Sequence, residues 1–149
     1  MTTEAQPTIE PPWMARARLE LGTRERLPDG KPNPRIHEYF RATSFKGGTA
    51  ADPWCSAFAN WVMYPFNPIG TGKANARSWL DWGVPLATPQ VGCIAVYWRG
   101  DPNGAQGHVG FLTARQSPKY DLVLGGNEGN AVAIKPYSVS RLIAYRMPA

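Results

Sequence analysis

The chain has 149 residues, 43% of them hydrophobic and 18% charged, a balance that suits one globular domain and excludes a disordered or fibrous chain. Its net charge of +5 favours an acidic partner, yet the basic residues are scattered and no zinc-finger, helix-turn-helix or RNA-binding signature occurs, so nucleic acid is not expected. No apolar run approaches the roughly 20 residues that cross a bilayer, and residues 1–12 lack the basic start and apolar stretch of a secretory signal. The expectation is a flexible segment over 1–12 and a single, monomeric domain over 13–149, made in the cytoplasm with no integral membrane segment.

Taken in chain order, Pro11-Pro12 followed by Trp13, Met14, Ala17 and Leu21 predicts a first helix that stops at Gly22. Asn33-Pro34 supplies an N-cap with proline at the first helical position and predicts a second helix to about residue 43, burying Ile36, Tyr39 and Phe40. After a loop over 46–52, Asp52-Pro53 repeats the cap-then-proline start. The third helix is expected to begin almost on Cys55, to bury Phe58, Ala59 and Val62, and to end before Pro65, with Asn67-Pro68 as a further stop. A shorter fourth helix is expected over about 73–82, closed by Gly83.

From Val91 onward, short segments rich in Val, Ile, Leu, Tyr and Phe alternate with turn residues. They predict strands over 93–98, 108–114, 122–125, 131–135 and 142–146. Helices first and strands afterward give an α+β fold with an antiparallel sheet.

Only two cysteines occur, Cys55 and Cys93, which excludes a disulfide framework and leaves a single bridge open. His37 and His108 are the only histidines, and no CxxC or HxxxH spacing supports a zinc site; no metal and no cofactor are expected. Cys55 falls in the first turn of the third helix, where the macrodipole and unpaired backbone N–H groups favour a thiolate and could hold an oxyanion. Standing alone it would read as a small core residue; a histidine base changes that reading. His108 lies in Gln106-Gly-His-Val-Gly-Phe-Leu112, at the start of a strand with glycine on both flanks, whereas His37 sits on a solvated helix face. A third polar group should orient the imidazole. Asn127, in Leu124-Gly-Gly-Asn-Glu-Gly-Asn130, is the choice, with Glu128 and then Asn130 as fallbacks; ordinary turn chemistry would explain the same residues. Trp54, Trp98 and Glu128 are the candidate substrate contacts, while Cys93, Trp61, Trp79 and Trp82 read as core. Ser56 and Ser78 lie outside any nucleophile elbow, and no phosphate-binding loop exists. Glu20 and Glu25 keep a carboxylate glycosidase, a muramidase, as an enzyme alternative.

Pro53-Trp-Cys-Ser-Ala-Phe58, Val91-Gly-Cys-Ile-Ala-Val-Tyr-Trp98, Gly107-His-Val-Gly-Phe111 and Leu124-Gly-Gly-Asn127 together resemble the CHAP and NlpC-type papain-like cysteine peptidases, closest to a phage-associated subgroup. The resemblance spans about residues 13–147. It implies a papain-like fold, N-terminal helices packed on a C-terminal antiparallel sheet, and cleavage of peptidoglycan amide bonds in the stem peptide or between sugar and peptide. Cys55 would be the nucleophile, His108 the base and Asn127 the polar third member. Gly92-Cys93 stands where many relatives have Gly-Asp, and the acids near the N-terminal half, such as Asp29 and Asp52, are too scattered for the calcium loop some relatives carry.

The expected activity is therefore peptidoglycan hydrolysis by a cysteine amidase or endopeptidase that reaches the cell wall after release or injection. A phage endolysin is preferred to an antibacterial effector, which would come with an immunity protein. A non-catalytic wall-binding or virion module is the non-enzymatic alternative.

Overall fold

Prolines set the starts of the first two helices. In the computed structural model, which describes residues 9–66 and 69–149, α1 spans Pro12–Leu19 and α2 spans Pro34–Phe40. The Arg35 backbone N–H donates to Asn33 Oδ1 at 3.0 Å, the cap expected at that position. The helix stops short of residue 43 because Thr43 competes for the backbone. Its hydroxyl donates to the Phe40 carbonyl at 2.7 Å and accepts from the Phe45 N–H at 3.1 Å.

The third helix, α3, spans Cys55–Met63 and begins where expected, but not with the expected cap. Asp52 Oδ2 accepts from the Thr49 N–H at 3.0 Å, inside its own turn, and the N-cap residue is Trp54, which makes no side-chain cap bond. The stop at Met63 agrees with the Pro65 signal, while Asn67-Pro68 and residues 1–8 lie outside the described residues. The fourth helix is shorter than the sequence suggests, a single 3-10 segment at Ala76–Asp81. Its expected first turn is drawn into a loop because the Lys73 carbonyl accepts from Ser56 Oγ at 2.7 Å and from Asn60 Nδ2 at 3.0 Å.

Six strands follow: β1 (Val84–Leu86), β2 (Ile94–Trp98), β3 (Gly107–Ser117), β4 (Tyr120–Gly125), β5 (Ala133–Ser138) and β6 (Leu142–Met147). They form one sheet in the order β1-β6-β2-β3-β4-β5, every neighbouring pair antiparallel. The expected α+β architecture is present. The short edge strand β1 was not legible, and β5 starts later than residue 131 because Ala131 bridges Arg24 instead. Pro136 is tolerated in β5 since that strand is an edge.

The main core lies between the helices and one sheet face. Trp54, Phe58, Val62, Tyr39 and Trp79 meet Val96, Val109, Phe111 and Leu124 there, all fully buried. A smaller cluster on other sheet positions holds Cys93, Ala95, Tyr97, Leu112, Val123 and Tyr145 around Asp121, whose Oδ2 accepts from Tyr97 at 2.8 Å and Tyr145 at 2.7 Å. Cys55 belongs to the first cluster and Cys93 to the second, so both thiols are free and the bridge left open by the sequence is not formed.

Just past β4 the chain runs tightly against α3 at Gly126, where a β-carbon would lie 2.6 Å from Phe58 Cβ and 2.8 Å from the Trp54 ring. Such overlap cannot be relieved by moving a flexible side-chain tip, and overpacking of this kind costs about 1–3 kcal/mol. Gly126→Ala should lower the urea midpoint accordingly. Gly47→Ala, where a β-carbon meets nothing within 4 Å, should leave it nearly unchanged.

Candidate active site

The uncapped start of α3 is the chemical opportunity. With no side chain satisfying its first-turn N–H groups, the helix presents bare donors and the positive end of its dipole at Cys55. Cys55 is 6% exposed and contributes to the lining of a cleft of about 520 Å³, with Phe40, Pro53, Ala74 and Arg99 around it. Burial pushes the thiol pKa up. The Val109 backbone N–H, the Arg99 charge and the Ser56 backbone N–H act against that rise, while the nearby Glu128 charge adds to it.

The Val109 contact matters because His108 is the preceding residue of β3. The imidazole is fully buried, and its Nε2 is 2.6 Å from Glu128 Oε1. Tyr137 of β5 stacks on the ring with centroids 4.5 Å apart and planes 6° from parallel. Among the described residues, the buried side-chain polar atoms without a hydrogen-bond partner are His108 Nδ1 and Glu128 Oε2, both on this pair. Native structures rarely leave such atoms unpaired, and where they do the group is often held ready for chemistry.

Burial lowers the His108 pKa to about 3 and raises that of Glu128 to about 9. At neutral pH the pair therefore carries no net charge, whichever atom holds the proton in the 2.6 Å bond. Releasing one proton leaves Glu128 as carboxylate, Nε2 protonated toward it, and Nδ1 free to accept.

Two side-chain networks build the cleft walls. On one side Ser56 and Asn60 tie down the loop before Ala74, with the Gly72 N–H donating to Asn60 Oδ1 at 2.7 Å and Trp79 Nε1 to Ser56 Oγ at 2.9 Å. On the other, Arg77 donates to the carbonyls of Gln106, Pro102 and Asp101 at 2.9, 3.1 and 2.8 Å, fixing the loop that delivers His108.

The model of the CHAP domain family matches residues 46–127, more than half of the chain, from before α3 to Asn127. The chain belongs to the CHAP domain family. No curated protein matches it. Among solved structures it is similar to the NlpC/p60 domain of the peptidoglycan hydrolase SagA, at 16% identity and a TM-score of 0.41, over 75% of this chain and 92% of that one.

Within this CHAP domain, the residues selected from the sequence are distributed unevenly. His108 and Glu128 meet directly, and Cys55 lies against the backbone of the next residue, Val109, within reach of the Glu128 charge. Asn127 does not occupy the third position: it adopts a left-handed backbone, φ 59°, in the turn after β4, and the next residue carries the carboxylate onto the imidazole. Glu128 is correspondingly a 2% exposed partner of His108 rather than a surface contact for substrate. Trp54 is fully buried, stacked on Tyr39 with centroids 5.9 Å apart and donating Nε1 to Glu25 at 3.0 Å, so it supports the helix start from behind. Trp98 is absent from the cleft lining and lies under Arg141, 5.1 Å from ring to guanidinium. His37 is exposed and 2.9 Å from the Gly48 carbonyl. Glu20 is engaged by Arg35 and Tyr39, both at 2.7 Å, and Glu25 by Trp54, which commits the two carboxylates considered for glycoside cleavage elsewhere. Asp29 and Asp52 accept from backbone N–H groups in their own turns, and among the described residues no three acidic, histidine or cysteine side chains gather as a metal site, so these residues do not fit a calcium ion.

Arg99 and Tyr137 were not anticipated. One follows β2 and the other lies on β5, and neither carries a local sequence mark. The Arg77 clamp makes a specific expectation. In Arg77→Ala, backbone amides over 101–108 should exchange hydrogen roughly tenfold faster or more, while global stability falls by only about 1 kcal/mol, as for loss of an exposed polar cluster. Hydrogen-exchange mass spectrometry reads the first and urea unfolding the second.

Proposed function

We propose that this CHAP domain is a peptidoglycan hydrolase, a cysteine amidase or endopeptidase acting through Cys55, His108 and Glu128 in a catalytic domain over residues 13–149. The observation that carries the reading is the Cys55 thiol at an uncapped helix start, in a cleft, against the strand that bears a buried His108–Glu128 pair. Family membership and the motif resemblance support the reaction class, and the net charge of +5 suits an anionic wall polymer.

In the proposed reaction His108 Nδ1 takes the thiol proton and Cys55 Sγ attacks the amide carbonyl. The resulting oxyanion is held by the Cys55 backbone N–H and a neighbouring first-turn donor. The C–N bond breaks as the imidazolium returns its proton to the leaving amine. Water, deprotonated by the same nitrogen, then hydrolyses the thioester. Glu128 keeps Nε2 protonated and so holds Nδ1 as the base. The finer reading is a phage endolysin, supported by Gly107-His-Val-Gly-Phe111 and Leu124-Gly-Gly-Asn127.

Purified sacculi digested by the wild type should yield muropeptides with a new amine or carboxyl end, seen by mass spectrometry. Cys55→Ala should yield at least about a thousandfold less. As an endolysin, the wild type should also lyse a host from within once a membrane pore is supplied. Full activity in Cys55→Ala would overturn the hydrolase reading; failure of pore-dependent lysis alone would overturn the endolysin reading.

The pH profile tests the third member. Because Glu128 is raised to about 9, its carboxylate, and with it the basic form of Nδ1, is populated only as pH climbs toward that value. The rate at subsaturating substrate should rise roughly ten- to fiftyfold between pH 7 and pH 9. Glu128→Gln, whose side chain can accept from Nε2 without titrating, should lower the rate and remove that limb. In Asn127→Ala the limb should persist.

A further inference from the structure

We propose that Arg99 is a specificity-determining residue of the cleft, pairing with a carboxylate that the substrate carries beside the scissile amide. The proposal rests on the cysteine-hydrolase reading and narrows it to acidic peptide substrates.

The geometry supports this in three ways. Arg99 directly follows β2 and lines the same cleft as Cys55, so a group held there lies next to the reacting atoms. Its charge acts on the Cys55 thiol, the His108 ring and Glu128 alike.

The guanidinium also lacks an acid of its own. Among the described residues, Arg18, Arg35, Arg41 and Arg115 each lie within 4.0 Å of a carboxylate; Arg99 does not. The other charged group lining the cleft, Asp52, is tied to the Thr49 N–H. Arg99 approaches the Tyr137 phenol, a contact that leaves guanidinium donors over.

Finally, the remaining walls are largely apolar, with Phe40, Phe45, Pro53 and Ala74. An exposed cation is cheaply solvated in open water. Beside apolar walls a carboxylate that displaces that water is matched by the planar fork of arginine and gains more than at an open surface.

The test uses one set of purified muropeptides in two forms, with carboxyl groups free or converted to primary carboxamides. Wild-type protein should cleave the free-carboxyl form with kcat/KM roughly tenfold or more above the carboxamide form, mainly through KM. Arg99→Gln should narrow that ratio to about twofold or less, and Arg99→Lys should recover part of it. Equal kcat/KM of the wild type on both forms would overturn the proposal. So would Arg99→Gln lowering kcat equally on both forms with the preference intact, because Arg99 would then act on the Cys55 thiolate instead of the substrate. If Cys55→Ala cleaved either form, the hydrolase reading would fail first, a result distinguishable from both.

Discussion

The close passage of Gly125 and Gly126 between α3 and the imidazole is the constraint on which the site depends. At Gly126 the chain runs against Phe58 and Trp54, and at Gly125 a β-carbon would lie 2.7 Å from Glu128 Oε1 and 3.1 Å from His108 Nε2. No side chain fits at either position without displacing the helix or the His108–Glu128 pair. Two glycines in succession let the end of β4 reach the helix, and the tight turn that follows, with Asn127 and Asn130 left-handed and the Glu128 N–H bonded to the Ala131 carbonyl, brings Glu128 back onto the ring. Helix, strand and turn thus meet within a few ångströms around one hydrogen bond.

Support for that hydrogen bond comes from distant parts of the chain. Trp54, immediately before Cys55, is anchored by Glu25, 29 residues earlier, and by stacking on Tyr39 of α2. Tyr137, on the far edge strand, covers the imidazole face. The ring is therefore held in plane by Glu128 and against rotation by Tyr137, so its orientation is set before any substrate arrives. Preorganisation of this kind lets a weak base such as imidazole work without spending binding energy on its own alignment.

Much of this was legible and some was not, for identifiable reasons. Asn33-Pro34 announced α2 because cap and proline act locally, and Cys55 and His108 stood out because their residue types, at a helix start and a strand start, have few other uses together. The sequence favours Asn127 over Glu128 as the partner of His108 for a local reason as well, whereas it is Glu128 that meets the ring. In Leu124-Gly-Gly-Asn-Glu-Gly-Asn130 strand alternation ends at Gly125, and which side chain points inward is decided by backbone angles that the letters do not carry. A fully buried carboxylate is also an improbable choice on average, since acids are almost never buried unpaired. Trp54 reads as a groove wall because it adjoins Cys55; what buries it is a partner in another element. Arg99 and Tyr137 are brought to the cleft only by the pairing of β2 with β3 and of β4 with β5.

The choice of a carboxylate over an amide beside His108 has an electrostatic consequence. An amide would fix the tautomer and leave the site neutral when Nδ1 is free, whereas Glu128 makes that basic form one charge more negative. In a buried site this is costly, and it is why burial holds Glu128 protonated up to about 9. Arg99 offsets part of that cost, since its charge lowers the proton affinity of Glu128, His108 and Cys55 together. With a substrate carboxylate paired to Arg99, less positive charge remains to quiet the thiolate. A less stabilised thiolate is a more basic and more reactive nucleophile, so the group that recognises the substrate would also release the reactivity of Cys55 once the amide is in place.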